Sequence, residues 1–184
     1  MSTRQNSGRD SNCGMNLRQL DAVNAAQLDQ LADVLMNCVA GGASVSFMNS
    51  FTRERALAFW QRVADDVSAE KRLLLVAEDA QGICGTVQLI LDLPENQPHR
   101  ADLAKMLVHR RARRQGLGEA LMKAAEEAAK SAGRTLLVLD AVTGGDAARL
   151  YERLGWIRVG DVPDFALYPD GGFCSTTYYY RRLA

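Results

Sequence analysis

The chain of 184 residues is long enough for one domain with a full apolar core. Its 22 basic and 22 acidic residues cancel, and aromatic residues make up only 7% and do not interleave with basic clusters, so a broad nucleic-acid-wrapping surface is excluded. There is no run of about 18 apolar residues to span a membrane, and Cys13, Cys38, Cys84 and Cys174 show no C-x-x-C spacing that would point to a disulfide framework or a metal site. Free thiols in a reducing, cytoplasmic compartment are the expectation.

Residues 1–14 are polar and glycine-bearing and lack the apolar centre of a signal peptide. They predict a disordered extension, with the domain over 15–184 and Met15 where the fold begins. Residues 16–22 predict a first strand. Asn24 then offers an N-cap to a helix whose inner face is Leu28, Leu31, Ala32, Leu35 and Val39. Gly41 and Gly42 end that helix and free the segment up to Met48 to act as a loop over something. A second helix is predicted from Thr52, with Ala56, Phe59, Trp60, Val63 and Val67 inward; Phe59 and Trp60 are read as core rather than as ligand contacts.

Residues 72–79 and 83–91 predict paired strands, and residues 94–98 a turn-rich link. A strand over 101–109 then meets R-R-Q-G-L-G at 113–118. Beyond it, Leu117, Ala120, Leu121, Ala124, Ala125, Ala128, Ala129 and Ala132 recur at helical spacing. Residues 135–140, TLLVLD, predict a buried strand that Gly144 and Gly145 break. A short helix over 146–154 follows, and strands over 156–163 and 174–182 close the sheet. The pattern is α/β: one mixed, twisted sheet with helices on both faces and no second domain.

The junction at Arg113–Gly118 is the most informative. A helix start presents N–H groups without partners inside the helix, together with the positive end of its dipole, and two glycines let a ligand approach the backbone. Such a turn suits a phosphate or pyrophosphate. The dinucleotide fingerprint is ruled out because Glu119, Ala120 and Leu121 follow Gly118, and the triphosphate loop because no Lys-Ser or Lys-Thr follows a glycine. The neighbouring arginines Arg110, Arg111, Arg113 and Arg114 are read as a local attraction for an anionic cofactor, with a solvated turn as the other reading.

What remains, Arg113-x-x-Gly116-x-Gly118, resembles the acyl-CoA signature of the GNAT superfamily of N-acyltransferases. Ala147 to Trp156, AARLYERLGW, is similar to its second motif, and the tail from Tyr168 through Tyr180 is similar to its closing hairpin. Within that superfamily GGASVSFM at 41–48, AFW at 58–60, VAED at 76–79 and RADLAKMLV at 100–108 resemble the tabtoxin-resistance acetyltransferases. The resemblance implies a single-domain GNAT fold with a sheet of roughly seven strands. It also implies acetyl-CoA as acyl donor, and acetyl transfer to a primary amine of a small molecule by direct attack in a ternary complex. Toxin or antibiotic detoxification is the implied setting; a housekeeping amine is equally compatible.

The resemblance places Met106, Leu107 and Val108 along the pantetheine arm, like an added strand. Arg113, Arg114, Gln115, Gly116, Leu117 and Gly118 then fall around the pyrophosphate. An alkylamine of pKa about 10.4 must lose a proton before it attacks. Asp102 and Asp140, at strand ends that open on one cleft, are the candidate bases or ammonium anchors; capping a turn (Asp140) and a plain surface position (Asp102) are the other readings. Tyr151 is the candidate acid for the leaving thiolate, against a core tyrosine. Many superfamily members carry Asn seven residues before this tyrosine; here it is Gly144. His99 is a further candidate base, read as surface.

The resemblance puts the acceptor pocket under the 42–48 loop, the 93–100 link and the 165–173 hairpin. Asp164 and Asp170 add to a cation-favouring surround. No metal and no covalent nucleophile are needed. The expected partner is a small-molecule amine, with no nucleic acid and no membrane; a homodimer is compatible with the sequence. Two alternatives stay open: a protein N-terminal or lysine acetyltransferase, and a non-catalytic acyl-CoA-binding sensor module.

Overall fold

The computed structural model describes residues 15–183, so the extension expected over 1–14 lies outside the described residues. Seven strands form one sheet in the order β1-β2-β3-β4-β5-β7-β6. The strands are β1 (Asn16–Leu20), β2 (Arg72–Asp79), β3 (Gly82–Ile90), β4 (Arg100–Val108), β5 (Leu136–Val142), β6 (Ile157–Leu167) and β7 (Phe173–Arg182). All neighbours are antiparallel except β4 and β5, which are parallel because a helix crosses between them.

The helices α1 (Ala25–Ala40) and α2 (Arg53–Ser68) cover one face. There Leu31, Val34, Leu35, Trp60 and Val63 bury against Leu74, Val76 and Leu107. The other face carries α3 (Leu117–Ser131), and α4 (Asp146–Arg153) extends the same core, with Leu121, Met122, Ala125, Tyr151 and Trp156 packed on Val87, Leu103 and Leu137. The Asn24 cap expected from sequence is present, and the structure adds a reciprocal Gln27 bond and a cap on the second helix. Asn24 accepts from the Gln27 amide while Gln27 Oε1 accepts from the Asn24 amide, and Thr52 caps α2.

Two local events open the sheet. The β4–β5 ladder runs only through Arg100↔Leu136, Ala101↔Leu137 and Asp102↔Val138, and then stops although both strands continue. On its other side β4 pairs with β3, but the register slips by one residue between Gln88↔Ala104 and Thr86↔Leu107. That extra residue is a β-bulge at Lys105–Met106, with Lys105 at φ +49°. The bulge turns β4 away from β5 while β5 stays paired with β7 along its whole length. A wedge-shaped gap therefore forms in the middle of the sheet, at the C-terminal ends of the two parallel strands, where open α/β sheets bind ligands.

Candidate active site

Each wall of the gap comes from a different element. One edge is β4 beyond Asp102, whose backbone lacks a ladder toward β5. Met106 lies there against α3: a Cβ on Gly118 would sit 3.9 Å from its sulfur and 3.0 Å from Leu150 Cδ2. Gly118 thus lets α3 approach the Leu150 side chain of α4 closely. Below the gap, Arg114 (φ +59°) and Gly116 (φ +77°) bend the chain into α3, and Gly116 provides no side-chain cap. Among the described residues, none of the amides from Arg114 to Glu119 donates to a protein acceptor. A Cβ on Gly116 would meet nothing within 4 Å. Uncapped donors, open space above them and an unpaired strand edge fit the pyrophosphate and pantetheine of coenzyme A.

The basic cluster is less free than its sequence implies. Arg111 Nε donates to Asp79 Oδ2 at 2.9 Å, and its guanidinium also reaches the carbonyls of Gly82 and Ile83. Arg110 donates through its amide to Asn37. Arg113 Nε donates to the Val108 carbonyl at 3.0 Å. Three of the four arginines therefore brace the end of β4 against α1 and the β2–β3 hairpin. Arg114, exposed like Arg113, makes no side-chain hydrogen bond among the described residues, and the backbone amides carry the anion-binding geometry.

Tyr151 lies on α4 and is 4% exposed. Its ring packs 6.0 Å from Trp156 and 6.1 Å from Tyr179, centroid to centroid. Its hydroxyl has no hydrogen-bond partner among the described residues. Burial, with the Asp140 charge adding to it, pushes its pKa well above the ordinary phenol value, so it stays a proton donor. Asp140, at the point where β5 has left β4, is exposed to the gap. Its Oδ2 accepts from Thr176 Oγ1 at 2.8 Å, which fixes the carboxylate toward the cleft rather than onto the turn after β5. Asp102 closes the gap at its apex, half-buried, with Arg100 Nη2 3.3 Å from one oxygen and the other oxygen buried without a partner. Burial raises its pKa, Arg100 opposes the shift, and Asp140 adds to it. Asp140 thus acts electrostatically on both Asp102 and Tyr151, three groups from three elements, while Tyr151 itself packs in the core.

Beside Asp140 a cavity of about 310 Å³ opens. Its lining comes from the α1–α2 loop (Ser44, Ser46, Phe47, Met48), the end of β5, and the β6–β7 hairpin (Phe165, Leu167, Cys174, Thr176). The loop is tied to the hairpin. Ser44 Oγ donates to the Leu167 carbonyl at 2.9 Å, the Asn49 amide to the Pro169 carbonyl at 3.0 Å, and the Asn49 side chain to Asp170. The 93–100 link expected at this pocket is elsewhere. It packs at the opposite end of β4, where His99 accepts from the Thr135 amide and Pro98 from Arg134, because β4 begins there and the cleft opens where β4 ends. His99 is exposed and away from the gap.

Phe59, expected in the core with Trp60, is only half-buried. It forms an aromatic cluster with Phe47 at the pocket, while Trp60 is fully buried. Gly144 takes φ +69° in open space, a conformation that Gly and Asn share, so the turn geometry survives the missing asparagine. Sequence reasoning missed Thr176, Ser46 and Lys105. A lone lysine inside an apolar strand was the one visible signal for the last.

Comparison with known proteins agrees with this geometry. Residues 70–158 match the profile of the acetyltransferase (GNAT) domain, a span from just before β2 to the start of β6 that includes the gap, the turn and α4. The fold is also that of the Salmonella typhimurium protein yncA, whose structure holds its cofactor acetyl-CoA: TM-score 0.74, 16% identity, covering 92% of this chain and 94% of that one. A candidate phosphinothricin N-acetyltransferase superimposes with TM-score 0.75 at 19% identity, covering 92% and 99%. The ribosomal-protein-alanine N-acetyltransferase of Brucella melitensis does so with 0.74 at 19%, covering 91% and 99%. Residues 70–158 match a GNAT acetyltransferase domain, within a chain that has the GNAT fold. It is an acetyl-CoA-dependent N-acetyltransferase. No helix among the described residues is long and apolar enough to cross a membrane.

Proposed function

We propose that the acceptor is a primary amine of a small molecule, acetylated by direct attack within a ternary complex. The observation that carries this reading is the cavity beside Asp140. It lies at the small end of the ligand-site range of about 300–1,000 Å³, and the α1–α2 loop is hydrogen-bonded across to the β6–β7 hairpin above it. A peptide chain needs an open groove, and here the rims are joined.

In this reading the amides around Gly116 hold the pyrophosphate, with Arg113, Arg114, Gln115, Leu117 and Gly118 forming the turn, and Met106, Leu107 and Val108 line the pantetheine path. Acetyl-CoA supplies the activated acetyl group. Asp140, steadied by Thr176, anchors the incoming ammonium and takes its proton directly or through water. Asp102, with its raised pKa, is the second acceptor for that proton. Tyr151 Oη gives a proton to the departing sulfur. No protein nucleophile is required, since the amine attacks the thioester itself. The resemblance to tabtoxin-resistance acetyltransferases supports toxin or antibiotic detoxification in the cytoplasm as the biological setting.

The test is thiol release from acetyl-CoA with a panel of small amines and a panel of N-terminal peptides. Small amines should saturate the enzyme and peptides should not. Asp140→Asn should lower kcat/KM for the best amine by about 10²–10⁴. Turnover of peptides in preference to amines, or of none of them, sinks the reading.

A further inference from the structure

The two faces of the sheet are not covered alike. The core under α3 and α4 reaches across to Leu137 and Leu139 on β5 and Tyr179 on β7. The core under α1 and α2 draws its strand residues, Leu20, Leu74, Val76, Ile83 and Leu107, from β1 to β4 alone. On that side, among the described residues, β5, β7 and β6 carry no helix layer. The α1–α2 loop reaches them only at the end that holds the cavity.

The side chains there are those of a covered face. On β5, Leu136 and Val138 alternate with the buried Leu137 and Leu139, so the strand is apolar on both sides, the pattern of a strand covered on both. Val138 stands opposite Tyr180, and Tyr180 opposite Ile157, so one apolar row crosses all three strands. Next to it lies Tyr178, with the Phe165 ring edge-on at 6.0 Å. Leu136, Val138, Tyr178 and Tyr180 are only half-buried, and Ile157, Val162 and Phe165 are exposed. Of the large apolar side chains exposed among the described residues, all but Met48 lie between Ile157 and Phe173. Such a concentration marks an interaction surface.

Residues 1–14 do not supply the missing layer. Their one large apolar residue is Met1, and they lead into β1, at the opposite edge of the sheet. The free edge of β6 does not take an added strand either. Register shifts at Arg158/Gly160 and Val162/Ala166 interrupt it, and Pro163 has no amide proton to donate. What fits is a second apolar sheet face, packed about 10 Å away.

Charge selects the occupant. Arg182, opposite Leu136, stands at one end of the patch, and Asp164, between Val162 and Phe165, at the other. Their neighbours Arg158 and Arg181 are paired with Asp161 and Glu126. Arg182 and Asp164 themselves have no ion pair among the described residues. A twofold axis between two such faces, running across the strands, sets the Arg182 end of each copy over the Asp164 end of the other, so both charges are met twice. The formal net charge of zero adds no general repulsion between copies.

We infer that the protein forms a twofold dimer, face to face on the uncovered side of β5, β7 and β6. Val138, Tyr180 and Ile157 lie in its core, and Arg182 is set against Asp164 of the second copy.

The test is sedimentation velocity on the full chain over about 1–100 μM, a range that brackets ordinary dimer affinities. The wild type should sediment at twice the 20.2 kDa chain mass. Ile157 is 50% exposed in the single chain, so Ile157→Glu should keep the fold by circular dichroism. Its charge falls inside the dimer, whose dissociation constant should rise about hundredfold or more. Arg182→Asp and Asp164→Arg should each weaken the dimer about tenfold, and the two together should restore it. A monomer throughout the range overturns the inference, and so does a dimer that I157E leaves intact. A double reversal no tighter than the single ones overturns the arrangement. If I157E loses its fold, the charge pair decides.

Discussion

Tyr151→Phe separates chemistry from structure in this protein. The substitution keeps the ring, and with it the packing against Trp156 and Tyr179. It deletes only a hydroxyl that bonds to nothing among the described residues, so no intramolecular hydrogen bond is lost and folding stability should stay within about 1 kcal/mol of wild type. Affinity for acetyl-CoA, measured by calorimetry, should also hold, because the binding amides lie in the turn before α3. The rate should not. Losing a positioned acid typically costs about 10²–10⁴ in kcat, or roughly 2.7–5.4 kcal/mol at 1.36 per decade. Burial and the Asp140 charge both raise the tyrosine pKa, so the hydroxyl stays protonated through the neutral range and the penalty should be flat between about pH 6 and 9. Thiol release at saturating substrates, a thermal melt and a calorimetric titration on one preparation decide the matter. A kcat within about threefold of wild type, less than 0.7 kcal/mol in barrier, refutes the acid role. A large fall in melting temperature shows instead that the hydroxyl is structural.

Two further outcomes follow from named geometry. Gly116→Ala meets no atom within 4 Å, so its cost is the φ +77° backbone alone, about 1–2 kcal/mol; the melt should drop by a few degrees, Gly116→Asn should drop it less, and calorimetry should show weaker acetyl-CoA binding for both. Asp79→Asn breaks the pair with Arg111, whose side chains are 24% and 23% exposed, and should cost on the order of 1 kcal/mol at pH 7. The Arg111 guanidinium holds the Asp79 pKa below its ordinary value, so the aspartate's contribution is complete above its unfolded pKa of about 3.9 and is lost as pH falls through the lower folded value. Chemical denaturation of both proteins should therefore show a gap at neutral pH that closes in acid; a gap that widens in acid contradicts the assignment.

What the sequence determined by itself is local. Asn24 and Thr52 mark their helices because a cap is a contact between residues three apart. The turn before α3 is legible because closely spaced glycines and a helix start are properties of a few consecutive residues. Tyr151 and Asp140 could be nominated from the segments that hold them. Only the tertiary structure decided the rest. The bulge at Lys105 is a mismatch between two strands some twenty residues apart, and a run of residues such as ADLAKMLV looks the same paired straight or slipped. Where the 93–100 link goes and which arginines are spent on Asp79 and Asn37 depend on partners distant in the chain. Capping and turn geometry are set within a few residues, whereas register, ion pairing and the shape of a cavity exist only once separate strands and helices have met.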